Sequence, residues 1–194
     1  MVRLPAELPR DVPHARGTLV AGALAAIAEL WGAQGVAEVR HRLGAAARRA
    51  ILDEIVLPVG WYPEEHFESL CEAVWSSLAR HDVPVFETFI RRSIDHVWGR
   101  VHRMLMSLAT PHLLARRAPA LWRHDHTHGE LAVELRERDG TVRVRGYPYA
   151  PSSIMPRGQA ESLRYILSHA RVRDVRASHL VDVRGEFVVT LGWT

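Results

Sequence analysis

The chain contains no lysine and no asparagine; all 25 of its basic residues are arginine. Both absent residues use AT-rich codons, so the bias reflects a GC-rich genome before it reflects a function. Charge of one sign is also lacking: 22 carboxylates stand against the arginines, for a net charge of +3. A nucleic-acid binder concentrates its basic residues on one face or stripe, whereas here they are spread among carboxylates. No aromatic-and-basic RNA motif and no zinc-finger spacing is present, so nucleic acid is not an expected partner. Cysteine is scarce too. Cys71 stands alone and can form no intramolecular disulfide, which fits a reducing cytoplasm.

Long hydrophobic runs are missing. The most apolar stretch, Leu19 to Ala28, falls short of the roughly 20 residues that cross a bilayer. Glu29 closes it without a convincing cleavage site, so a buried helix is expected rather than a signal peptide or an anchor. The sequence also has no Gly-x-Ser-x-Gly elbow, no phosphate-binding glycine loop and no dinucleotide fingerprint. The carboxylate pairs Asp53-Glu54 and Glu64-Glu65 are adjacent, so on a helix they diverge and make poor acid–base partners. A non-enzymatic protein is the expectation.

What is present is a clear change of period. Residues 1 to 15 carry Pro5, Pro9 and Pro13, which fix φ and remove donors, and read as an extended leader. Residues 16–194 then read as a single domain. Thr18 is a candidate N-cap for a first helix that Gly32 stops after Trp31, and apolar residues on most of its faces imply deep burial. A second helix follows from Val36 to about Leu52, interrupted near Gly44. Pro63 with Glu64 and Glu65 behind it marks another helix start, since proline loses nothing there and carboxylates favour the positive dipole end. Phe86, Phe89, Ile90, Ile94, Val97, Val101, Leu105 and Leu108 form the stripe of a long helix opened by Pro84. A shorter one runs from Thr110-Pro111 to about Trp122.

After that the period becomes two. Leu131, Val133 and Leu135 alternate with polar residues, and Asp139-Gly140 is the strongest hairpin signal in the chain. With those two residues as the loop, Glu134 would face Arg145 and Arg136 would face Arg143. A helix from Gly158 to His169 and strands near 172–183 and 186–193 complete the pattern, with Phe187, Val189, Leu191 and Trp193 on one face. The fold class is α+β: an N-terminal helical subdomain packed on a C-terminal four-stranded antiparallel sheet with one inserted helix.

Gly17-Thr18-x-Val20, a helix, then Leu30-Trp31-Gly32 resembles the opening of the haem-nitric oxide/oxygen-binding (H-NOX) domains. Ala109-Thr110-Pro111 after a long apolar helix is similar to them as well. The closing segment, Leu180 to Trp193, resembles the vinyl-reductase-type domains. Taken whole, the chain from Gly17 onward resembles a myxobacterial paralogous family of unknown function within the superfamily that joins H-NOX, vinyl-reductase and TRAPP-type domains. The resemblance implies helices on an antiparallel sheet, and a domain that senses a small molecule or serves as an interaction adaptor in signalling. It implies nothing firmer about activity, because members of the superfamily bind haem, other small molecules, or one another. The Tyr-x-Ser-x-Arg motif that holds haem propionates in H-NOX domains has no match in spacing; Tyr147, Tyr149, Ser152, Ser153 and Arg157 occupy the corresponding region. His96 or His102 would have to supply an axial ligand. His102 reads rather as a partly buried ring meeting a backbone carbonyl, and His96 as a surface residue.

The expected ligand pocket, for a small apolar molecule, draws on Trp98, Val101, His102, Leu105, Tyr147, Tyr149 and Met155. A second candidate is His124-Asp125-His126-Thr127-His128. In an extended chain His124, His126 and His128 project to one side, and three imidazoles with an open position suit zinc, nickel or copper. Residues spaced i, i+2, i+4 on a straight strand lie too far apart to close a tetrahedral site, so such a centre needs the chain to turn; otherwise the segment is a solvated corner. No cofactor is thus the leading expectation, with haem or zinc as the alternative. A homodimer or a signalling protein is the expected macromolecular partner.

Overall fold

In the computed structural model, which describes residues 8–9, 11–98, 108–151 and 154–194, the chain divides into two compact units. One comprises residues up to Val97 together with Asp125–Thr127; the other comprises Trp98–His124 and His128–Thr194.

The first unit is helical. Strand β1 (His14–Arg16) leads into α1 (Gly17–Arg42), followed by α2 (Ala45–Arg48), β2 (Trp61–Pro63), α3 (Glu64–Ala73) and α4 (Val83–Val97). Short π-helical turns at Arg49–Asp53 and Val74–Leu78 extend α2 and α3. The expected stop at Gly32 appears as a break inside α1: its φ of 63° and ψ of −160° are open only to glycine, and helix resumes on the far side. Thr18 is not the N-cap. The helix begins one residue earlier, after an extended Arg16 that gives no side-chain cap.

Helix α1 packs against α4. Val20, Ala23, Ala26 and Ile27 are buried on one side, and Phe86, Phe89 and Ile90 face them in the same interior with Leu70 and Val74. Ala28 and Glu29 are exposed, so burial covers one stripe of α1 rather than the whole of it. Among the described residues α1 is the one helix long and apolar enough to cross a membrane, by length and composition alone. Trp75 meets Phe86 edge-on at 5.5 Å, and Phe86 meets Phe89 at 5.7 Å, distances at which aromatic pairs add to simple burial.

The second unit holds α5 (Pro111–Asp125, its last residue counted with the helical unit), β3 (Glu130–Leu135), β4 (Asp139–Arg145), α6 (Met155–Ser168), β5 (Arg176–Val181) and β6 (Phe187–Gly192). The four strands form one antiparallel sheet in the order β3-β4-β6-β5. Helix α6 packs on β5 and β6. Val142, Val144, Phe187, Val189 and Leu191 are buried, as alternation required, and Val188 between them is buried as well.

The hairpin differs from expectation in register. Asp139 and Gly140 lie inside β4, with Leu135 opposite Gly140, and the turn falls at 136–138, closed by the Arg136 N–H donating to the Asp139 carbonyl at 2.8 Å. Glu134 therefore faces Thr141, and Arg145 faces Glu130. The slip is even-numbered, so every apolar side chain keeps its face while the charged pairs change partners.

Candidate functional site

In the helical unit the polar residues gather where β1, β2 and α3 begin. Pairing of β1 with β2 sets His14 opposite Pro63 and Arg16 opposite Trp61. The Arg16 guanidinium lies 5.0 Å from the Trp61 ring centroid. Glu64, the first residue of α3, is 1% exposed, and its N–H donates to the Pro13 carbonyl at 2.8 Å. Residues Asp125–Thr127 join this group: His126 bridges Ala15, and its ring Nδ1 lies 3.1 and 3.2 Å from the two Glu64 carboxylate oxygens. His14 and His66 are buried beside them, with a ring nitrogen of His14 2.7 Å from the Val12 carbonyl. The His66 pKa is lowered. Burial is the main cause, the neighbouring Glu65 carboxylate opposes it, and His14 adds to it.

Sequence reasoning missed this cluster. Glu64 was legible only as a helix-start carboxylate, because its partner His126 lies 62 residues away and no local spacing links them. A Pro-Glu helix start that turns out buried needs a tertiary partner, and only the structure supplies its identity.

The three histidines of the proposed metal segment meet different surroundings. His124 is exposed near the end of α5, His126 is 5% exposed against Glu64, and His128 is half-buried before β3. Among the described residues no group of three or more His, Cys, Asp or Glu side chains is arranged to hold a metal ion. Cys71 is an internal hydrophobe: burial, reinforced by Glu68, Glu64 and Glu72, pushes its thiol far up and away from the nucleophilic thiolate.

The sheet unit carries the described members of the expected ligand pocket. Tyr147 is buried after β4 and meets Trp122 edge-on at 5.4 Å and Tyr149 at 5.9 Å. The Trp122 indole N–H lies 3.0 Å from each of the His128 and Gly129 carbonyls. Gly129 adopts φ = 84°, and a Cβ there would stand 3.2 Å from both Trp122 and Tyr147. Met155 is buried at the start of α6, and Trp98 is half-buried. Val101, His102 and Leu105 lie outside the described residues. On α6, Arg164 grips the buried Glu161 in a bidentate pair at 2.6 Å. His179 on β5 has a lowered pKa, first from burial and then from the Arg157 charge.

No protein-family model and no curated protein matches the chain. Solved structures do. An H-NOX protein from S. oneidensis in the Fe(II)NO ligation state covers 92% of this chain and 99% of its own, with a TM-score of 0.68 and 12% identity. The fold is that of the H-NOX domains. The Fe(II) unliganded H-NOX protein from K. algicida matches over 92% of this chain and 96% of its own, at a TM-score of 0.66 and 11% identity. An oxygen-binding H-NOX domain related to soluble guanylate cyclases gives 0.63 at 8% identity, covering 92% and 95%.

Identities this low carry the H-NOX architecture and not its chemistry, so the residues present must be tested for haem. His96 is exposed on α4 with its Nε2 2.8 Å from a Glu29 carboxylate oxygen, a surface pair and no axial donor. The Tyr-x-Ser-x-Arg spacing is missing, and the tyrosine that stands nearest to it, Tyr147, is packed into an aromatic cluster. The described residues therefore do not complete a haem-holding set. The remaining axial candidate is His102.

Proposed function

We propose that this chain is a ligand-sensing domain on the H-NOX scaffold, a non-enzymatic cytoplasmic signalling component of the myxobacterial paralogous family its sequence resembles. The observation that supports this reading is a fold match to H-NOX structures over nine-tenths of the chain. The named neighbours are an oxygen-binding domain and proteins characterised with Fe(II) alone or with Fe(II)NO. On that ground haem is the ligand class to test first, ahead of an adaptor whose interior is filled by its own side chains. His102 is the residue this reading commits to as axial donor.

The test is titration of the purified full chain with haem, followed by visible absorption. A Soret band that saturates at one haem per chain, persists in His96→Ala and is lost in His102→Ala supports the haem sensor. No saturable band at any haem concentration overturns it in favour of a haem-free ligand or of the adaptor. The adaptor reading rests on exposed apolar side chains, Ile55 and Val59 in the helical unit and Leu180 and Val183 in the sheet unit. A concentration-dependent dimer in solution would support it.

A further inference from the structure

The segment joining α5 to β3 is tied into the helical unit without a single apolar side chain. Asp125, His126 and Thr127 belong to that unit, whereas the chain up to His124 and from His128 onward belongs to the other. Polar attachments hold it. His126 forms an antiparallel bridge with Ala15, which adds a short third row beside β1 and β2. The Thr127 N–H donates to the His14 carbonyl at 3.0 Å, and the His14 N–H donates to Thr127 Oγ1 at 2.9 Å. The His126 ring reaches the Glu64 carboxylate, and both are buried.

The large side chains that fill the helical interior, Phe86, Phe89, Ile27, Ile51 and Leu70, all come from other segments. Withdrawing Asp125–Thr127 therefore gives up hydrogen bonds and a buried polar pair but no apolar side-chain burial of its own. Segments of that kind open locally, at a free energy below that of global unfolding. The same pair makes the closed position well defined, because a buried carboxylate that loses a hydrogen-bond partner is penalised.

We propose that Asp125–Thr127 is a clasp: a three-residue segment locked by the His126–Glu64 contact, which detaches as one piece while the α1–α4 interior stays folded. Open, it lengthens the connection between α5 and β3 by the residues it releases. This inference does not depend on which ligand the domain senses.

Hydrogen exchange of the full chain, resolved at single amides, tests it. Glu64→Gln removes the carboxylate with little change of shape. The expected result is exchange at the Thr127 amide faster by on the order of a hundredfold, with amides of Ala23 and Ile27 in α1 changed by less than about twofold. Unchanged exchange at Thr127 would overturn the lock. Equal acceleration at Thr127, Ala23 and Ile27 would overturn independent opening. If Glu64→Gln fails to fold, His126→Gln, which removes the other partner, carries the same three readings.

Discussion

The two units solve the problem of burying polar groups in opposite ways. The sheet unit keeps its charges at the margin: Glu130 and Arg145 face each other on exposed ends of β3 and β4, and Arg164 screens the buried Glu161 from a neighbouring turn of the same helix. Its interior is otherwise apolar, built from β4 and β6 together with Trp122, Tyr147, Ile154, Met155 and Leu167. The helical unit instead gathers His14, Glu64, His66 and His126 from three separate stretches of chain into its interior. One unit pairs its buried carboxylate within a single helix. The other depends on contacts that exist only when distant segments have come together.

The largest effect expected on either side comes from the aromatic interior of the helical unit. Phe89→Ala, at a fully buried position, should cost about 3–5 kcal/mol, measured by denaturant unfolding. A cost under about 1 kcal/mol would mean that α1 and α4 are not the source of that unit's stability.

Next is Gly129, the backbone corner under Trp122 and Tyr147. Gly129→Ala combines a left-handed φ with a Cβ 3.2 Å from both rings, and should cost about 1–3 kcal/mol. Near-UV circular dichroism should report loosening of the aromatic cluster. Tolerance of the substitution would show that the Trp122–Tyr147 contact is dispensable.

Acid should separate the units through their histidines. The folded helical unit holds the His66 pKa below its ordinary value, so folding favours the neutral ring. Stability from that preference is complete above the unfolded pKa of about 6.5 and is lost as pH falls below it, at up to about 1.4 kcal/mol per pH unit. His66→Gln should flatten the fall in Tm between pH 6.5 and 5, and His179→Gln should do the same in the sheet unit. An unchanged slope in both variants would place the acid sensitivity elsewhere.

The smallest effect decides a register. A double-mutant cycle between Glu130 and Arg145 should return a coupling of about 0.2–1 kcal/mol, and one between Glu134 and Arg145 close to none. The reverse ranking would restore Asp139-Gly140 as the hairpin loop.

That register shows which parts of the fold are legible in a sequence. The alternation Phe187, Val189, Leu191, Trp193 and the stripe Phe86, Phe89, Ile90 express burial directly, and each element forms where the period places it. Gly32 announces a break because only glycine reaches the conformation the chain takes there. Turn position is set by a fine balance among adjacent polar residues, and Asp139-Gly140 lost to 136–138 with no change in which face is apolar. The candidate site was less legible. Tyr147 and Tyr149 stand out as aromatics in a loop after a strand, and the structure packs their rings against each other. The Glu64–His126 contact joins residues that carry no shared period, motif or neighbourhood, and His126 was visible only as one of three alternating imidazoles.

The claim at the centre is that an H-NOX scaffold here senses a small molecule. Native mass spectrometry of the full chain, purified from cells supplied with a haem precursor, tests it most directly. The account predicts one bound small molecule per chain, released on denaturation, with the mass of haem as the first expectation. A colourless chain that carries no bound molecule and flies only as a dimer would contradict it.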